Sequence, residues 1–183
     1  MVREIGAGSN IKNLRRPTLK KLFAIAAVAT ALSSPAMAAP GDTATAQGAA
    51  TAEVVAPITL THVAAAALNF GTFTTGDNGG TVTVDQAGNG VAATDVTLIG
   101  GSVESADAFT VAGDASRSFS ITTTAGSVSN GTDTMNFTTS APGTGSLDAS
   151  GAAGFSVGGV LTVAGGESAG VYSGTYDVTV SYN

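Results

Sequence analysis

The chain has 183 residues, no cysteine, no tryptophan and one histidine, and a formal net charge of −6. The missing thiols and the lone imidazole exclude disulfides and zinc or copper sites built from soft or imidazole ligands. Residues 1–38 hold six of the seven basic side chains, so the remainder sets Arg117 against twelve acidic residues, a net charge of −11. That balance is a poor match for phosphate backbones or anionic lipid, and no nucleic acid is expected among the partners.

Residues 1–21 are basic, with Arg3, Lys12, Arg15, Arg16, Lys20 and Lys21, and the apolar run Leu22–Leu32 leads to Ala36-Met37-Ala38. A charged region, a short apolar region and a small-residue cleavage site together predict a signal peptide over residues 1–38, cleaved after Ala38. A spanning helix needs about 20 apolar residues, so this run is too short, and no membrane insertion of the mature chain is expected. Export through the inner membrane follows, to the periplasm, the cell surface or the extracellular space. Leu14-Arg-Arg-Pro-Thr-Leu-Lys20 resembles a twin-arginine signal, while the order of regions is that of ordinary Sec export; both routes stay open.

Residues 39–52 are small and polar and predict a flexible arm. Ala44, Ala46 and Ala50 fall on one face of that arm when it is extended. A single domain is expected over 53–183. Glu53–His62 predicts a first strand around Val54, Val55, Ile58 and Leu60, with Pro57 marking an edge or a bulge. Ala64–Ala67 is too short for an independent helix and suits one helical turn. Leu68–Phe73 comes next, and the Asn-Gly pair within Gly76–Gly80 predicts a tight hairpin before Thr81–Val84. Asp85–Gly90 ends that strand. Further strands are expected at Asp95–Ile99, Ala108–Ala112, Ser118–Thr123 and Thr134–Thr138. Phe155–Val163 reads either as a hairpin through Gly158-Gly159 or as a strand with a glycine bulge.

The chain closes on its clearest alternation. Tyr172, Gly174, Tyr176, Val178, Val180 and Tyr182 occupy the even positions, with Ser173, Thr175, Asp177, Thr179 and Ser181 between them. Period two with one apolar face predicts a single half-buried strand. Eight or nine short strands without helical patterns between them predict an all-β fold, an antiparallel sandwich.

Reactive groups are sparse. His62 has no nucleophile or orienting partner that spacing alone can name, so no catalytic role is expected. Asp77-Asn78 and Asp85…Asn89 lie in glycine-rich loops, where turn chemistry accounts for them and the spacing of a calcium loop is absent. No paired carboxylates suit glycoside chemistry, and no phosphate loop precedes a helix. No cofactor and no metal are expected.

The pieces Leu68–Phe73, Gly80–Val84, Phe155–Val163 and Gly174–Tyr182 resemble a bacterial secreted family catalogued as domain of unknown function 4402. That resemblance implies export and a β-sandwich, with no established activity. A looser resemblance is to pilus subunits of the chaperone–usher type, in which the final strand alternates, the penultimate residue is aromatic and a glycine stands fourteenth from the end. Tyr182 and Gly170 hold those places here. This second resemblance implies an immunoglobulin-like sandwich whose final strand is an assembly edge. Gly170, Tyr172, Tyr176, Val178, Val180 and Tyr182 would form it, and Ala44, Ala46 and Ala50 would lie on the donor arm. Self-association or related subunits, a periplasmic chaperone and an usher are the partners implied. The combined expectation is an exported structural subunit of a fimbrium or pilus, assembled by strand donation. The alternative is a self-complete surface module that binds a glycan or a protein.

Overall fold

Tight turns punctuate the strands, and the chain builds the same five-residue loop twice. At Asp85–Asn89 the Asp85 carboxylate oxygen Oδ1 accepts the N–H groups of Ala87 (2.9 Å) and Asn89 (2.8 Å). At Asp148–Ala152 the Oδ1 of Asp148 accepts those of Ser150 (2.8 Å) and Ala152 (3.0 Å). Gly88 and Gly151 stand at the fourth position of each loop with φ of 86° and 81°, a left-handed conformation that glycine adopts without a steric penalty.

The computed structural model describes residue 41 and residues 43–183, so the expected signal peptide lies outside the described residues. Eleven strands are present among them: β1 Thr59–His62, β2 Phe73–Val84, β3 Gly90–Leu98, β4 Asp107–Ala112, β5 Ser118–Thr123, β6 Gly126–Ser129, β7 Thr134–Ser140, β8 Thr144–Ser146, β9 Ala152–Val163, β10 Ser173–Thr175 and β11 Val178–Tyr182. All named pairings are antiparallel. The fold is therefore all-β. Among the described residues, no helix is long and apolar enough to cross a membrane.

Four local expectations need correction. Gly76–Gly80 makes no hairpin: β2 runs through it, and Gly76–Gly79 bulge out opposite Asp95 between the pairs Thr75↔Val96 and Gly80↔Thr94. The Asp95 carboxylate holds the bulge by accepting both the backbone and the side-chain N–H of Asn78, each at 3.3 Å. Gly158-Gly159 is neither a turn nor a bulge, because β9 continues through it. The first strand is confined to Thr59–His62. Ala64–Ala67 forms a turn in which the N–H of Ala66 reaches the carbonyl of Val63 (3.1 Å).

β9 changes partners along its length. Its first half, Ala152–Val157, pairs with β4, which in turn pairs with β1. Its second half lies between β2 and β7, and the sheet continues to β3 on one side and to β6 and β10 on the other. A separate three-stranded sheet runs β11-β5-β8. Two core clusters follow from this layout. One, the second cluster, contains Val111, Phe119, Ile121 and Leu147, with Leu60, Phe155, Val178 and Val180 packed against it, and lies between β1-β4-β9 and β11-β5-β8. The other, the first cluster, rests on β2, β7 and the second half of β9, through Val82, Val84, Met135, Phe137, Leu161 and Val163. Phe70 and Leu68 from the β1–β2 link cover it, together with Tyr172 and Tyr176. Thr51–Asn183 form one compact unit.

The loop aspartates make this fold acid-sensitive. Asp85 is held below the usual carboxylate range first by the Asn89 side chain, and Asp148 first by the Ser150 hydroxyl. Asp133 is held low first by the Ser168 hydroxyl and then by its backbone N–H. A depressed folded-state value means stability that is fully present above the unfolded aspartate value of about 3.9 and is lost as pH falls through the folded values. Urea midpoints measured from pH 6 down should stay level to about pH 4 and then fall. The double variant Asp85→Asn, Asp148→Asn should start lower at pH 6 and fall less steeply.

Candidate functional site

The closing segment keeps its alternation but is divided between two sheets. Ser173–Thr175 pairs with β6, and Val178–Tyr182 pairs with β5. β5 and β6 are joined by Thr124-Ala125, where that chain crosses from one sheet to the other, and its antiparallel partner crosses beside it at Tyr176-Asp177. The two chains stay tied at the crossing: Asp177 N–H donates to the Thr124 hydroxyl (2.9 Å), and Thr124 N–H donates to the Asp177 carbonyl (3.0 Å). The pairing shifts by one residue there, from Thr175↔Ser127 to Val178↔Thr123. The expectation of one strand over Tyr172–Tyr182 is corrected accordingly.

The predicted edge residues therefore separate. Gly170 is exposed beside the Asn130 side chain. Tyr172 packs on the first cluster and donates its hydroxyl to the Ser168 carbonyl (2.8 Å). Gly174 lies in β10, where a Cβ would run into the Ser127 carbonyl oxygen. Only Tyr176, Val178, Val180 and Tyr182 border the β11 edge. Ala44, Ala46 and Ala50 are exposed and belong to no strand.

Hydrogen-bond parity shows what that edge presents. The pairs Asp177–Thr124 and Asn183–Ser118 bond to each other, so the odd residues of β11 point their backbone groups at β5. Strand geometry then turns the N–H and C=O of Val178, Val180 and Tyr182 the opposite way. The same rule applies to β1. Val63 N–H bonds to the Ala108 carbonyl (3.0 Å), in register with Thr61↔Thr110, so the odd residues face β4. Ile58, Leu60 and His62 point away from it. β1 lies beside β11 with no ladder between them among the described residues. The side chains of Ile58, Leu60, Val178, Val180 and Tyr182 are half-buried on the second cluster. The result is a seam: two facing rows of unpaired backbone groups above an apolar floor.

Polar contacts tie both ends of the seam. At one end the Tyr182 hydroxyl donates to the Ala56 carbonyl (3.0 Å) and accepts the Asp114 N–H (2.6 Å). Nearby, Arg117 pairs with Asp114 (2.6 Å) and reaches Glu53 (2.7 Å). At the other end stands Asp107, the buried charged residue among those described, 5% exposed. Its Oδ1 lies 2.6 Å from His62 Nε2 and accepts the Ala108 N–H (2.8 Å), and its Oδ2 accepts the Tyr176 hydroxyl (2.8 Å). Burial, then the hydrogen bond and charge of Asp107, push the Tyr176 phenol well above its ordinary range, so it stays protonated and donates. A groove of about 540 Å³ opens at this end, bordered by Leu60, Leu68, Phe137 and Val178.

Sequence reasoning singled out His62 and Tyr176 but not the carboxylate between them. The signal was present: Asp107 shares the parity of Phe109 and Val111, all three buried on the inner face of β4. Among the described residues, no group of three or more His, Cys, Asp or Glu is placed to hold a metal.

Tyr182 is the best single probe of the seam's integrity. Tyr182→Phe keeps the ring and removes two hydrogen bonds, and should lower unfolding stability by about 1–3 kcal/mol. Tyr172→Phe, whose hydroxyl is served by an exposed loop, should cost less in the same urea titrations.

The family described as Domain of unknown function (DUF4402) matches residues 58–182, and the chain belongs to that family. The match begins at Ile58 and ends at Tyr182, so both rows of the seam lie inside it. No curated protein and no solved structure matches the chain.

Proposed function

We propose that this member of the DUF4402 family is an exported, non-enzymatic structural subunit that assembles by accepting an extended strand from a neighbouring copy along the β1/β11 seam. One observation carries the reading: the outward backbone groups of Ile58, Leu60 and His62 confront those of Val178, Val180 and Tyr182 above a half-buried apolar floor. An open strand edge of this kind is a template for strand addition.

The donor is the arm that precedes β1. Beyond Ala44, Ala46 and Ala50, its even positions continue through Ala52 to Val54, and Val54 is 95% exposed. Thr43, Thr45, Gln47, Thr51 and Glu53 occupy odd positions, so an extended arm has one small apolar face and one largely polar face. Glu53 and Ala56 are bound at the Tyr182 end of the seam, so the arm is anchored to its own subunit there. The basic leader supports export, and the acidic, lysine-free remainder suits a surface protein that avoids nucleic acid.

Residues 39–183 should form concentration-dependent oligomers in sedimentation velocity. Removing 39–52 should leave a folded monomer that captures a synthetic peptide of residues 43–56. Val180→Pro deletes an outward N–H without touching a β5 bond, and should block both assembly and capture. A protein that stays monomeric at high concentration, with a melting temperature indifferent to loss of the arm, would sink the proposal. A monomer whose melting temperature drops without the arm would mean that the arm folds back into its own seam.

A further inference from the structure

Asp107 lies where the two banks of the seam come together, and each bank reaches it with one side chain. His62 is the last residue of β1, and its Nε2 lies 2.6 Å from Asp107 Oδ1. Tyr176 stands two residues before β11 and donates its hydroxyl to Oδ2 at 2.8 Å. With the Ala108 N–H, three donors from the chain itself meet this carboxylate, so it reads as a joint between elements and not as a vacant binding group. The joint is also packed. Phe109 sits against His62 (ring centroids 5.1 Å apart) and edge-on to Tyr176 (6.5 Å), on the face of β4 that carries Asp107. No other side-chain bridge runs from β1 to the segment entering β11 among the described residues; at the opposite end the contact is from Tyr182 to the backbone of Ala56.

We infer that the His62–Asp107–Tyr176 bridge is a latch that keeps the β1/β11 seam closed in the isolated subunit and must release for the seam to open. The two bonds act in series through one carboxylate: cutting either frees the banks at this end, and cutting both adds little. The seam has apolar side chains on both banks and backbone groups that no ladder holds, so a small opening there exposes apolar surface. The latch follows from the seam's geometry and holds whatever strand enters it.

The chain has no cysteine, so a single introduced thiol reports opening cleanly. Ala153→Cys places the reporter half-buried on the second cluster beneath the seam, and Leu161→Cys places a control in the first cluster, 2% exposed. Labelling with a maleimide under native conditions is measured in each background. A hydrogen bond to a charged group is strong enough that Tyr176→Phe, or His62→Gln, should speed labelling of the seam reporter roughly tenfold or more. The control should barely move, and the double variant should label no faster than the faster single. Unchanged labelling at Ala153→Cys overturns the latch. Equal acceleration at both reporters also overturns it, because that is global loosening; additive acceleration in the double variant overturns the series connection. Since this readout needs no donor, it stands apart from peptide capture: a latch that opens onto a seam that captures nothing would refute strand donation and leave the latch in place.

Discussion

Both halves of the molecule hang on β9, and β9 exists as one strand because Gly158 and Gly159 carry no side chains. Where it enters the second half of the sheet it runs between β2 and β7. A Cβ on Gly158 would run into the Val84 carbonyl oxygen, and one on Gly159 would press against that of Thr138 at 2.5 Å. Any larger residue would push apart the ladders that the buried Val82, Val84, Phe137 and Leu161 depend on for close packing. A chain with so few aromatic residues has little spare apolar volume, so its core relies on close approach of backbones more than on bulk.

What joins the two core clusters is a file of rings. Phe155 stacks on Phe109 (5.5 Å), Phe109 meets Tyr176 (6.5 Å), Tyr176 meets Phe137 (6.1 Å) and Phe137 meets Phe70 (5.8 Å). Tyr176 is the middle ring and sits at the crossing of the C-terminal segment between sheets. Its neighbours in sequence serve opposite ends of the molecule, since Tyr172 packs on one cluster and Val178, Val180 and Tyr182 on the other. The closing segment is therefore less a final strand than a tie between two half-cores. Its sensitivity to change should concentrate at Tyr176, where packing and the bridge to Asp107 coincide.

Much of this was legible from period-two patterns. β5 coincides with the expected Ser118–Thr123, β4 and β7 lie within a residue or two of expectation, and the loop at Asp85–Asn89 ends a strand as its composition requires. The failures have physical causes. Asn78-Gly79 suits a hairpin turn and a bulge equally, and only the distant Asp95 carboxylate decides between them. β6 and β8, Gly126–Ser129 and Thr144–Ser146, contain almost nothing that alternates by size, so their strand form is imposed by the neighbours they pair with. The division of the last strand was hidden because the crossing shifts the pairing by one residue while the in–out alternation continues through it. The seam was out of reach for a related reason. Which backbone groups a strand leaves free depends on the parity of its pairing, and parity is fixed by the partner.

The proposed donor arm is mostly alanine, glycine and threonine, which sets what can hold it. A strand seated between two banks needs about 4.8 Å to each, so β1 and β11 must part to admit it, and large side chains would demand a deeper rearrangement of the floor. Small ones demand little, but they also gain little: each buried methyl contributes about 0.8 kcal/mol. The β11 bank alone offers six backbone groups on Val178, Val180 and Tyr182, each hydrogen bond contributing about 0.5–1.5 kcal/mol net. Backbone bonding thus outweighs side-chain burial in such a joint. Affinity would come mainly from the two open edges, while selectivity would rest on excluding bulky side chains. Those requirements pull in one direction: an arm that binds through its backbone must find the edges open, and Asp107, the one buried carboxylate among the described residues, ties those edges together.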